Sequence, residues 1–191
     1  MNLTTLEILC MVLTTLVVGV AIATDLRWRR IPNTLTFSAF GAALVVRFAF
    51  QGWVGLGLGL AGAAIAPIFL LVIHIGRGMG MGDLKLAAAV GAFMGPTLAL
   101  VAMLLTAVAG GLLAIALLCR RGQLFSEFFS LFLIGVPFFR DRVDRSPASA
   151  GTAAATMPYG VAIGIGSLAT LVVYACLGPS LISFVGIAAT Q

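Results

Sequence analysis

Long apolar segments with almost no charge inside them restrict most strongly what this chain can fold into. They cover residues 6–24, 34–50, 54–75, 84–118 and 158–177. A helix needs about 20 residues to cross the hydrocarbon core of a bilayer, and most of these segments approach or exceed that length. Only 9% of the 191 residues are charged, against about a quarter in soluble domains. A soluble globule is therefore excluded, and disorder is excluded by the same apolar excess.

The segment 84–118 is too long for one span, and Gly95-Pro96 lies where a reversal is needed, because proline ends or kinks a helix. We split the segment into 84–94 and 97–118, although the first piece rises only about 16 Å. The sequence therefore predicts an all-α, polytopic membrane protein with about six transmembrane helices. We expect a single membrane-embedded domain over residues 1–191.

The positions of the basic residues predict the orientation in the membrane. With the N-terminus outside, the cytoplasmic stretches are 25–33, 76–83 with the start of the next helix, and 119–157. They hold ten of the eleven basic residues, all but Arg47, as the positive-inside rule requires. The C-terminus is then also outside. Because these charges flank apolar runs, without the interleaved aromatics of a nucleic-acid surface, we expect no nucleic acid partner.

Two further segments need an assignment. The first apolar run resembles a signal peptide, but its basic cluster follows the run instead of preceding it, so we expect a retained transmembrane helix. Residues 119–157 form a cytoplasmic loop, and its apolar part at 124–139 is typical of an interfacial helix.

The three cysteines, Cys10, Cys119 and Cys176, form no CxxC pair, and His74 is the sole histidine. No zinc site is expected from this pattern.

Two of the six acids, Asp25 and Asp83, lie at helix boundaries on the predicted cytoplasmic side. Two carboxylates that lie close together favour a state in which they share one proton. One can then activate water as a general base, while its partner polarises a carbonyl and protonates the leaving nitrogen. Interfacial anchoring, or N-capping of a helix by Asp83, is the alternative. We expect Glu7 at the outer side, and Glu127, Asp141 and Asp144 to be solvated.

The residues before Asp83 are glycines at alternate positions, Gly76-Arg-Gly-Met-Gly-Met-Gly-Asp83. The spacing fits neither a phosphate-binding loop nor a dinucleotide fingerprint. Alternating glycines permit positive φ and a close backbone approach, as an extended substrate beside a catalytic acid would require. The alternative interpretation is a flexible turn between two helices.

Three segments together resemble a known family. Gly80-Met-Gly-Asp83 is similar to the GxGD motif of intramembrane aspartic proteases, and 78–86 resembles prepilin peptidases in particular. Asp25-Leu-Arg-Trp-Arg-Arg-Ile-Pro-Asn33 and Met157-Pro-Tyr-Gly-Val-Ala-Ile163 resemble two further motifs of that family. The resemblance implies that Asp25 and Asp83 are the catalytic pair of an aspartic endopeptidase. Such an enzyme cleaves the leader of prepilin-like proteins after a glycine, at the cytoplasmic face of the bacterial inner membrane, without a cofactor.

The resemblance is closest to the short type that serves Tad/Flp pili, since no insert and no CxxC motif follow Asp25. We therefore do not expect N-methylation of the product. The resemblance also suggests residues that bind substrate or shape the site: Gly78, Gly80, Gly82, Lys85, Pro158, Tyr159 and Gly160. For Lys85 anchoring at the interface is the alternative, and for Pro158, Tyr159 and Gly160 it is packing.

Two other functions remain open at this stage. A presenilin-like protease that cuts inside transmembrane helices would share GxGD, but the Ile-Pro-Asn and Pro-Tyr-Gly segments argue against it. A small proton-coupled transporter would use the same two acids as a relay, although transporter acids usually lie near the midplane. The sequence leaves the particular pilin and the oligomeric state open.

Overall fold

The fold is known from a computed structural model that describes residues 5–28, 31–73, 80–121 and 159–177. These residues form four helices: α1 (Thr5–Trp28), α2 (Asn33–Ile73), α3 (Met81–Arg121) and α4 (Tyr159–Leu177). The all-α prediction is confirmed. All four helices are long and apolar enough to cross a membrane, so helix length and hydropathy give four candidate spans among the described residues instead of the expected six.

Helix α2 folds back on itself at Gly52, which has the non-helical angles φ 61° and ψ −143°. A Cβ atom placed on Gly59 would lie 3.2 Å from Leu44 Cδ2. In a straight helix these residues would be about 22 Å apart along the axis. The two halves of α2 are therefore packed against each other, and a residue with a side chain would be strained at the positive φ of Gly52.

Helix α3 also reverses its direction, at Gly95 (φ 75°, ψ 176°) before Pro96. Its start at Asp83 interacts electrostatically with Tyr159 of α4, and a Cβ on Gly110 would lie 3.2 Å from the same tyrosine's hydroxyl. A straight helix would separate Asp83 and Gly110 by about 40 Å. The break predicted at Gly95-Pro96 is confirmed, and it is a reversal of the chain.

Helices α1 and α4 pack against each other in antiparallel directions. The Tyr174 hydroxyl donates a hydrogen bond of 2.5 Å to Glu7 near one end, while Gly160 lies against Asp25 near the other. Between them, a Cβ on Gly164 would stand 3.2 Å from Val18 Cγ1. Gly160 and Gly164, which are four residues apart, thus allow the two helices to approach closely.

Arg47 is buried in α2, with 9% of its surface exposed, and lies at the break in α3. Its Nε donates to the Ala92 carbonyl and its Nη2 to the Phe93 carbonyl, each at 2.8 Å. In an unbroken helix the Ala92 carbonyl would accept from the N–H of residue 96, which is proline and has none. The guanidinium supplies the missing donor. This structural role explains why Arg47 is the one basic residue that does not lie in a predicted cytoplasmic stretch.

We expect Arg47→Met to destabilise the fold. The change leaves two buried carbonyls unsatisfied at about 1–3 kcal/mol each, so the free energy of unfolding should fall by about 2–6 kcal/mol. Thermal unfolding in detergent measures this loss. The matched control is Arg27→Met, since Arg27 is exposed and stacks on the Trp28 ring. Equal unfolding temperatures for the two variants would contradict the assigned role.

The chain divides into two compact units, residues 1–110 with 158–191, and residues 111–157. Of the second unit, the structure describes only the last part of α3. The predicted interfacial helix at 124–139 and most of the loop 119–157 lie outside the described residues, as do Glu127, Asp141 and Asp144. The single-domain organisation stays a prediction.

Candidate active site

Asp25 lies in the last turn of α1 and is buried, with 6% of its surface exposed. The backbone N–H groups of Gly160 and Val161, in the first turn of α4, donate to its carboxylate. These N–H groups have no partner within their own helix, and the positive end of the helix dipole favours an anion there. Among the described residues, the Oδ2 atom of Asp25 has no hydrogen-bond partner.

Asp83 is the third residue of α3 and is partly exposed. The helix begins after Gly80, whose carbonyl accepts from the N–H groups of Asp83 at 3.1 Å and Leu84 at 3.5 Å. N-capping by Asp83 is therefore wrong, because Asp83 lies inside the helix. Its carboxylate points back towards Gly80, where a Cβ would stand 3.0 Å from Oδ2.

The described glycines before Asp83 do not adopt the positive φ that was expected of them. Positive φ occurs at Gly52 and Gly95 among the described glycines, and not at Gly80 or Gly82, so that part of the prediction is wrong. Gly82 instead gives a close approach, since a Cβ there would stand 3.4 Å from Ile31 Cβ. Gly76 and Gly78 lie outside the described residues.

The fold brings the two carboxylates together from opposite ends of their helices. Asp25 lies in the last turn of α1 and Asp83 in the first turn of α3, and the two carboxylates interact electrostatically. Ile31 links their surroundings, because its Cβ packs on Gly82 while its Cδ1 would lie 3.2 Å from a Cβ on Gly160. The starts of α3 and α4 therefore lie on the two sides of one isoleucine.

Gly160 leaves room for the Asp25 carboxylate. A Cβ at this position would stand 2.7 Å from Asp25 Oδ2, which is closer than real Cβ contacts. The preceding residue, Tyr159, interacts electrostatically with Asp83, and its hydroxyl lies beside Gly110 of α3. The first two residues of α4 thus contact or face both acids.

Lys85 connects the starts of two helices. Its Nζ donates to Asn33 Oδ1 at 3.0 Å and lies 5.1 Å from the centre of the Phe37 ring. Asn33 is the first residue of α2. The lysine therefore joins the Ile-Pro-Asn segment to the glycine–aspartate segment.

Most predicted site residues thus converge at one end of the helices: Asp25, Gly80, Gly82, Asp83, Lys85, Tyr159 and Gly160. Gly78, Pro158 and His74 lie outside the described residues. Ile31 and Val161 have no role predicted from the sequence, although both lie within quoted motifs. Their position inside those motifs is the one feature of the sequence that could have identified them as site residues.

This arrangement can carry acid–base chemistry on water and an amide. One carboxylate is buried and held by two N–H donors, and the other is half-buried and reachable from outside. In the described part of the chain, no group of three or more His, Cys, Asp or Glu residues is placed to hold a metal ion. Cys10 is buried and Cys176 exposed, both as free thiols.

Comparison with known proteins adds one finding. The sequence model of the type IV leader peptidase family matches residues 11–115, a range that includes Asp25 and Asp83 and ends before the Pro-Tyr-Gly segment. No curated protein and no solved structure matches this chain.

Proposed function

The chain belongs to the type IV leader peptidase family, and we propose that it is an aspartic-type endopeptidase with Asp25 and Asp83 as its catalytic pair. Membership indicates prepilin-type leader peptidase activity in general. The observation that supports the finer proposal is that Ile31 lies between Gly82, which precedes Asp83, and Gly160, which contacts the Asp25 carboxylate, so that two acids far apart in sequence lie near one another. Both belong to segments that resemble prepilin peptidase motifs.

In the proposed reaction the pair holds one proton. The ionised carboxylate takes a proton from water as the water oxygen attacks the scissile carbonyl carbon. The protonated carboxyl donates a hydrogen bond to the carbonyl oxygen and then gives its proton to the leaving nitrogen as the C–N bond breaks. The pair again holds one proton, so no metal or organic cofactor is required for the cycle.

The site lies at the cytoplasmic side in this proposal. Asp25, Asp83 and Lys85 share one end of the helices, and Arg47 with the break at Gly95 lies at the other. Because α2 and α3 each fold back once, we propose that each of their halves crosses the membrane separately, which gives six crossings from the four helices. The N- and C-termini are then both outside, in the bacterial inner membrane.

The proposed substrates are prepilin-like proteins of the Tad/Flp type, cut after a glycine where the substrate helix leaves the membrane. Asp83 is partly exposed, so an extended segment of the substrate can reach it, whereas Asp25 is buried. Gly80, beside the Asp83 carboxylate and itself exposed, leaves space for a substrate backbone. This supports a site at the membrane border instead of one deep in the bilayer.

Purified protein in liposomes tests the proposal with a synthetic prepilin. We expect cleavage after the leader glycine, and an unchanged rate in EDTA, because the described residues offer no metal-binding group of the kind that zinc requires. Loss of cleavage in EDTA that added zinc restores would contradict the carboxylate mechanism. Proton transport without cleavage of the prepilin would favour the transporter alternative.

A further inference from the structure

The described part of the connection between α1 and α2, residues 31 and 32, lies against the starts of two other helices. The side chain of Ile31 reaches both. Its Cβ lies 3.4 Å from the position of a Cβ on Gly82, and its Cδ1 lies 3.2 Å from that of a Cβ on Gly160. Gly82 belongs to the first turn of α3 and Gly160 to the first turn of α4. One side chain therefore occupies the space between the two helix starts.

A second contact from the same segment reaches the same turn of α3. Asn33, the first residue of α2, accepts a hydrogen bond of 3.0 Å at Oδ1 from Lys85 Nζ. The lysine also lies 5.1 Å from the centre of the Phe37 ring of α2. Asp83 is thus held from both sides, because the residue before it packs on Ile31 and the residue two places after it is bonded to Asn33.

The same isoleucine also borders the surroundings of the other acid. Gly160, against which Ile31 Cδ1 lies, is the residue whose missing Cβ leaves room for the Asp25 carboxylate. Two carboxylates share a proton only when they lie close together, so the distance between the starts of α3 and α4 matters for the pair. A change in the length of the Ile31 side chain should alter that distance.

We propose that Ile31 and Asn33 are positioning residues of the active site, with Ile31 as the spacer between the starts of α3 and α4. Asn33 holds Lys85 and, with it, the turn of α3 that carries Asp83. In this assignment Lys85 shapes the site by bonding to Asn33 and does not bind substrate. The assignment rests on the proposed function, which it deepens by naming what sets the separation of the two acids.

Ile31→Val tests the spacer. The change removes Cδ1 and keeps the Cβ that packs on Gly82, so it opens a gap at the start of α4 alone. A displacement of about 1 Å can cost a catalytic group about 100-fold, and the gap left by one methyl group permits a smaller displacement. We therefore expect kcat for prepilin cleavage, per folded enzyme in liposomes, to fall about tenfold while KM is unchanged.

The matched control is Ile22→Val. Ile22 Cδ1 lies against Gly164, one turn further along α4, and Ile22 and Ile31 are both partly buried against the same apolar core. Each variant loses the same methyl group from a contact with the same helix, so the two unfolding temperatures should fall by similar amounts. Ile22→Val should keep the wild-type kcat. Equal kcat values for the two variants would overturn the spacer role.

Asn33→Leu and Lys85→Met test the second contact from its two sides. Each should lower kcat by the same factor, and the double variant should lose no more than either, because both changes break one interaction. The loss should be smaller than that of Ile31→Val, since this hydrogen bond is exposed. Asn33→Asp keeps an oxygen acceptor for the lysine and should retain the wild-type kcat.

Two results would overturn the role of Asn33. Losses that multiply in the double variant would show that Asn33 and Lys85 act separately, and a raised KM in Lys85→Met alone would show that the lysine binds substrate. Failure of the proposed function itself is distinguishable, because it would appear as full cleavage by the Asp83→Asn variant, in which Ile31 and Asn33 are intact.

Discussion

Asp25→Asn and Asp83→Asn should each reduce prepilin cleavage by about 10²–10⁴-fold, the range that a positioned acid or base contributes. An amide fills the same space but neither takes a proton from water nor carries the shared proton. The N–H donors from Gly160 and Val161 can still bond to the side-chain oxygen of an asparagine at position 25, so the fold should persist.

The assay is cleavage of a synthetic prepilin, normalised to folded protein in the membrane. Glu127→Gln and Asp144→Asn are the controls, since both acids are predicted to be solvated, and each should keep wild-type activity. Wild-type turnover by either variant of the pair would remove the basis of the mechanism.

Gly160→Val should reduce cleavage about 100-fold, the loss that a misplacement of about 1 Å can cause at a catalytic group. The new Cβ would stand 2.7 Å from the Asp25 carboxylate and 3.2 Å from Ile31 Cδ1. Because Asp25 is buried, its carboxylate can give way only by leaving the α4 donors. Gly82→Val should lower cleavage less strongly, because its Cβ would be in ordinary van der Waals contact with Ile31 Cβ at 3.4 Å and only its two γ carbons would need further space.

The matched control for both variants is Gly57→Val. A Cβ at Gly57 meets nothing within 4 Å in the described structure, so this variant adds the same side chain to a helix without crowding a neighbour. We expect it to cleave prepilin at nearly the wild-type rate. Equal activity of Gly160→Val and Gly57→Val would show that the approach of Gly160 to Asp25 has no catalytic role.

Much of this architecture follows from the pattern of apolar runs. The run boundaries at 50 and 54 bracket Gly52, and the break assigned to Gly95-Pro96 is where α3 reverses. Both follow because glycine adopts positive φ and proline ends the helical hydrogen-bond ladder. The sequence could not show how the two halves of α2 pack on each other, since contacts such as that of Gly59 with Leu44 depend on the three-dimensional arrangement.

The site was predictable only in part, for a different reason. Asp25 and Asp83 stand out because charge at a helix boundary in an apolar chain is rare. Ile31 and Val161 carry no such mark, since their roles arise from contacts between helices that are distant in sequence. Arg47 was visible as the exception to the charge rule, but its bonds to Ala92 and Phe93 required the fold.

The central claim is that Asp25 and Asp83 act as one unit, and the double variant Asp25→Asn/Asp83→Asn tests it most directly. Groups that act together show strongly non-additive losses. The measurement is the residual cleavage rate of both single variants and the double variant, in an assay sensitive enough to detect all three. The account predicts one shared residual rate, because losing either carboxylate disables the pair. A double variant slower than each single variant, by the product of their separate losses, would contradict it.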